Sequence, residues 1–91
     1  MVSRSEVYAA IDGEREYQDK RWTEGTTASR GIHSLEEWFA YIGDYVNEAE
    51  HILARENKQD ADPKALGIMR KVTAMGVCAM EQHGAPSRVA R

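Results

Sequence analysis

The chain has one cysteine, two prolines, a single phenylalanine and no long apolar run. A lone Cys78 cannot close an internal disulfide, and a zinc knuckle is equally out of reach. Stability must therefore come from packing or association, with a reducing compartment as the natural home. No stretch approaches the roughly 20 apolar residues of a membrane span. The opening Met1-Val2-Ser3-Arg4-Ser5-Glu6 lacks the apolar core of a signal peptide. The expectation is a soluble protein that stays in the cytoplasm and has no membrane partner. An excess of basic charge is missing as well: 12 Lys and Arg stand against 15 Asp and Glu, a net charge of −3 with the signs interspersed. That argues against broad nucleic-acid binding, although it leaves room for a local basic pocket. At 91 residues there is space for one domain, 1–91, which buries only about 60–65% of its unfolded surface. Its own core is marginal.

What is present is helical patterning. Ser3 and Glu6 have the spacing of a capping box, and Val7, Ala10, Ile11, Glu14, Tyr17, Gln18 and Arg21 then recur at helical intervals. A first helix over about 4–21 follows, apolar in its first half only. Residues 23–33 hold two glycines and several hydroxyl groups without periodicity and read as a long loop, of the kind that often serves as a lid. Ser34 and Glu37 repeat the capping box ahead of a continuous stripe: Leu35, Trp38, Phe39, Ile42, Tyr45, Val46, Ala49, Ile52 and Leu53. This predicts a second helix over about 35–56. Asp62-Pro63 offers an N-cap acid before a first-turn proline, so a third helix is expected over about 63–83. Gly84 suits a left-handed cap and Pro86 bars continuation, leaving a short tail at 84–91.

The expected fold is all-α: three helices, with the last two forming an antiparallel hairpin because their connection is short. From Val72 to Met80 no residue is charged. A helix apolar all round is buried all round. One hairpin partner and one short helix cannot enclose it, so a second protomer is expected against Ala74, Gly76 and Ala79, completing the core by homo-oligomerisation.

Charged residues stand where the stripes call for apolar ones. Glu14 on the inward side of the first helix needs a partner, which Arg70 or Lys71 would supply. Tyr41, Asp44, Glu48 and His51 make a polar face on the second helix. Asp44 and Glu48 have the spacing to share a Mg²⁺, and equally that of an ordinary acidic pair on a solvated surface. His33, His51 and His83 are too scattered in the chain to mark a metal site. His83 suits the C-terminal end of the helix dipole, and Cys78 reads as a small buried hydrophobe rather than a nucleophile.

Trp22, then His33 ahead of Glu37-Trp38, the run Asp44-Tyr45-Val46-Asn47-Glu48-Ala49, and Arg70-Lys71-Val72-Thr73-Ala74-Met75 together resemble small phage-encoded relatives of the MazG-like all-α nucleotide pyrophosphohydrolases. In that family, acidic motifs on two helices hold the Mg²⁺ ions that activate water and clamp a triphosphate. Asp44 and Glu48 stand for part of the first motif. The second is missing, with Ile68 and Lys71 where its Glu and Asp would fall.

Cations in that place neutralise phosphate directly rather than through metal. The resulting expectation is a non-catalytic binder, without cofactor, that sequesters a phosphate-bearing nucleotide or cyclic nucleotide signal. The resemblance adds a counter-defence role inside a bacterial host. Arg70 and Lys71 would meet phosphate, Arg21 would assist from the loop side, and Tyr17 or Trp22 would stack on a base. Two alternatives stay open. One is a Mg²⁺-dependent pyrophosphohydrolase using Asp44 and Glu48 with an acid from Glu14 or Glu37. The other is a helical interaction module with no small ligand, in which Tyr17 and Trp22 are packing residues.

Overall fold

A computed structural model describes residues 1–22 and 31–89 as all-α, with three helices: α1 (Arg4–Arg21), α2 (Leu35–Arg55) and α3 (Lys58–His83). Most of the expected loop, residues 23–30, lies outside the described residues. Both capping boxes form. The Ser3 hydroxyl accepts from the Glu6 amide at 3.1 Å, and Glu6 returns to the Ser3 N–H at 3.3 Å. Ser34 and Glu37 do the same at 3.1 and 2.8 Å. Each box satisfies two of the amides that a helix start leaves orphaned.

The start of α3 departs from expectation. The helix begins at Lys58, five residues before Pro63, and its N-cap is Asn57, whose side chain accepts from the Asp60 amide at 3.0 Å. Pro63 therefore sits inside the second turn, where it forgoes a single backbone bond. Offsetting this, the extra turn buries Ala61 completely and lets Lys58 meet Asp62 at 2.7 Å. Lys64 reaches back to Glu56 at 2.7 Å across the junction. Only Glu56 and Asn57 separate α2 from α3. At the far end Gly84 has φ 121° and ψ 155°, a glycine-only conformation but not the left-handed helical cap.

Trp38, Met75, Cys78 and Ala79 form the central cluster, with Trp22, Ile42, Tyr45 and Val72 packed around it. α3 contacts both other helices, whereas α1 and α2 make no comparable contact with each other. Along α2 and α3, Trp38 meets Gln82, Tyr45 meets Lys71 and Glu56 meets Lys64. The uncharged stretch of α3 is not enclosed on every side. Ala74, Met75, Cys78 and Ala79 are buried within the chain, while Thr73 and Met80 are exposed and a side chain added at Gly76 would meet open space. Ala74 and Ala79 are thus already covered. Gly76 alone of the three expected contact residues borders the open side.

The radius of gyration is 14.8 Å, against about 12 Å for a compact chain of this length. The core is thin.

Candidate functional site

α1 is held against α3 by polar contacts. Arg15 is buried, and its guanidinium grips Glu81 through Nε–Oε1 at 2.9 Å and Nη2–Oε2 at 3.1 Å, with Asp19 at 2.8 Å. These bonds hold the Arg15 pKa above its ordinary range and pull the Glu81 carboxyl below its own. Gln18, also buried, donates to the Lys71 carbonyl at 3.3 Å. Beside them Glu14 pairs with Arg70 at 2.7 Å; the Glu14 side chain is only 9% exposed.

A second set of bonds gathers the start of α2 onto the end of α3. Gln82 Oε1 accepts from the Trp38 indole N–H at 2.9 Å and from the His33 amide at 3.2 Å, while Gln82 Nε2 donates to the Gly31 carbonyl at 2.7 Å. His83 Nε2 lies 2.8 Å from the His33 carbonyl. Gly31 has φ 78°, and a Cβ there would stand 2.8 Å from the Trp22 ring. Both its backbone and its neighbour require glycine.

These two anchors leave an open cavity of about 560 Å³ between the second half of α1, the first half of α2 and the middle of α3. That is the size of a small-molecule site. α1 and its cap contribute Glu14, Tyr17, Gln18, Arg21 and Trp22; α2 contributes Trp38, Tyr41, Asp44 and Tyr45; α3 contributes Lys71 and Met75; His33 comes from the segment before α2. The wall is rich in aromatic rings. Trp22 and Trp38 lie 5.7 Å apart, and His33 stands edge-on to both Trp38 and Tyr41 at 5.0 Å. The Lys71 ammonium sits 4.5 Å from the centre of the Tyr45 ring, the geometry of a cation–π contact. Among the described residues no carboxylate forms an ion pair with it.

Of the residues singled out from sequence, Tyr17, Arg21, Trp22 and Lys71 line this cavity. Arg70 does not: its guanidinium is engaged by Glu14, so it neutralises an acid of the wall. Asp44 reaches the cavity, but Glu48 lies outside it, in a shallower groove with Asp44 and His51. Among the described residues, no three His, Cys, Asp or Glu side chains come together so as to hold a metal ion. Cys78 is buried and its thiol is pushed up by that burial, in keeping with a packing role.

Arg15 has no role in the sequence analysis, because its partner lies 66 positions away. Trp38 and Tyr45 belong to the apolar stripe and each packs in the core; each also lines the cavity. His33 carried no signal beyond its place before a capping box.

No family model matches the chain, nor does any curated sequence or solved structure.

Proposed function

We propose that this chain binds, without chemically altering it, a small phosphate-bearing nucleotide or cyclic nucleotide, and acts as a homo-oligomeric sequestering protein. The observation that carries the reading is the convergence of Tyr17, Arg21, Trp22 and Lys71 on one cavity. Their types suit such a ligand: an ammonium for phosphate and flat rings for a base. The resemblance to MazG-like proteins supports a nucleotide over other anions and makes phage counter-defence in a bacterial cytoplasm the biological setting. Contacts running from Trp38–Gln82 to Glu56–Lys64 favour treating α2 and α3 as an antiparallel hairpin. The thin core and the open side of α3 favour its completion by further copies.

The charge of the site favours binding without hydrolysis. A triphosphate held for hydrolysis needs divalent ions and several carboxylates to carry them. Here Glu14 is occupied by Arg70, Asp44 is the one other acid that lines the cavity among the described residues, and Lys71 faces the same space. Titration calorimetry against linear and cyclic nucleotides tests the proposal: saturable binding by the parent, lost in Lys71→Ala, supports it, and no heat with any of them opposes it.

A further inference from the structure

The face of the α2–α3 pair turned away from α1 is uncharged along its whole length and, Thr73 and Gly76 apart, apolar. On α2, Leu35, Phe39, Ile42, Val46, Ala49 and Leu53 recur at alternating four- and three-residue steps. On α3, Leu66, Met69, Thr73, Gly76 and Met80 follow the complementary steps of three and four. This is the spacing by which helices pack at a shallow angle. None of these positions is charged.

At 3.6 residues per turn, the α3 residues that reach α1 (Arg70, Lys71, Glu81) lie on one side of the residues that face α2 (Val72, Met75, Ala79). Leu66, Met69 and Met80 lie on the other side. On α2, the cavity residues Tyr41 and Asp44 and the stripe through Phe39 and Val46 flank Trp38 and Tyr45 in the same way. For helices running in opposite directions, both stripes then emerge on the same side of the pair. Together they make one surface.

The surface is large. Its Leu, Phe, Val and Met side chains are between 41 and 71% exposed. They present roughly 700 Å², more than the 300–600 Å² patch usual on a monomer and close to the roughly 800 Å² each partner buries in a standard interface. A flat, uncharged face made of two antiparallel helices of similar length is complementary to itself under a two-fold rotation.

We infer that this face pairs with the same face of a second copy, giving a four-helix bundle of two α2–α3 pairs with each cavity on its outer side. The pairing rests on the self-association in the reading above but not on the ligand. It also relocates that contact from Ala74 and Ala79 to Phe39, Val46, Leu66 and Met69.

The experiment is solution mass by light scattering on the full chain at tens of micromolar, with no nucleotide added and helicity checked by circular dichroism. The parent should have the mass of two chains or a multiple of two. Phe39→Glu and Met69→Glu should each fall to a lower mass, halved or less. Asn47→Glu, on the side of α2 turned away from α3 and this face, should keep the parent mass. If the charged variants lose helicity, Phe39→Ser replaces them and should raise the dissociation constant of the pair at least tenfold. A one-chain mass for the parent overturns self-association altogether. A parent oligomer unchanged by Phe39→Glu, Met69→Glu and Phe39→Ser means that copies meet elsewhere, and overturns this face alone.

Discussion

The indole N–H of Trp38 and the side-chain oxygen of Gln82 are 2.9 Å apart, 44 residues distant in sequence, and they join the beginning of α2 to the end of α3. Trp38 is almost wholly buried, so this donor has no recourse to water. The same oxygen takes the His33 amide, and the Gln82 amide group holds the Gly31 carbonyl. One side chain thereby ties Trp38 and His33, both of which line the cavity, to the end of α3.

Gln82→Ala should therefore destabilise the protein by about 2–4 kcal/mol, the cost of a buried donor left unpaired plus two lost backbone anchors. Gln82→Glu keeps the acceptor but loses the donor to Gly31, and should cost less. Chemical denaturation followed by tryptophan fluorescence measures both. Equal midpoints for the parent and Gln82→Ala would refute the role.

The Arg15–Glu81 pair gives a pH dependence. The Glu81 carboxyl is pulled below its usual 4.5 by Arg15, and Glu37 is lowered by its bonds to Ser34. A carboxyl lowered on folding adds stability above its unfolded pKa, and that stability is lost as pH falls through the folded value. Stability should thus hold between pH 7 and 5 as far as these two groups are concerned, and fall below about pH 4.5. Glu81→Gln should flatten the acid limb and lower stability at pH 7 by about 1–2 kcal/mol, a figure discounted because Glu81 is half exposed. Thermal melts from pH 3 to 7 on both proteins provide the check.

Gly31→Ala places a methyl group in the Trp22 ring on a backbone with positive φ. The expected loss is about 1–3 kcal/mol, accompanied by a changed tryptophan emission as the Trp22–Trp38 contact opens. An unaltered emission spectrum with parent stability would show that the close approach is not maintained in solution.

Within the cavity the cations should behave differently from one another. Lys71→Ala and Tyr17→Ala are expected to weaken nucleotide binding by about 2–5 kcal/mol, mainly through faster dissociation, with helicity retained. Arg70→Ala should act indirectly, by unmasking the Glu14 carboxylate in the wall, and should be rescued in part by a second change, Glu14→Gln. Parent-like affinity in Arg70→Ala would show that the pair does not matter to the ligand. Metal-dependent release of pyrophosphate from a nucleoside triphosphate, abolished by EDTA and by Asp44→Ala, would instead establish the pyrophosphohydrolase reading.

Local features of the fold were legible in the sequence because they are decided locally. The two capping boxes and the stripes behind them mark α1 and α2 to within a residue, since Ser–x–x–Glu and a 3.6-residue period need no knowledge of the rest of the chain. The start of α3 was misplaced because Pro63 reads as a boundary, whereas the burial of Ala61 and the Asn57 cap carry the helix one turn further back. The cavity was half legible. Lys71 stands out as a charge where the stripe calls for an apolar group, and Tyr17 and Trp22 as aromatic faces beside the loop, but Arg70 and Lys71 are adjacent on a helix and therefore point about 100° apart; only the position of α1 decides which of them reaches Glu14 and which faces the cavity. Arg15 and Gln82 were illegible for the same reason: their roles depend on partners 44 to 66 positions away, which no local pattern encodes.

The most direct test of the account is to purify the protein from a bacterial cell, denature it and analyse the supernatant by mass spectrometry. A captured small ligand should be released, carrying at least one phosphate and an aromatic base, in a ratio approaching one per cavity, and it should be absent from Lys71→Ala prepared in parallel. Release of no such molecule from the parent, together with no heat on titration with linear and cyclic nucleotides, would contradict the account.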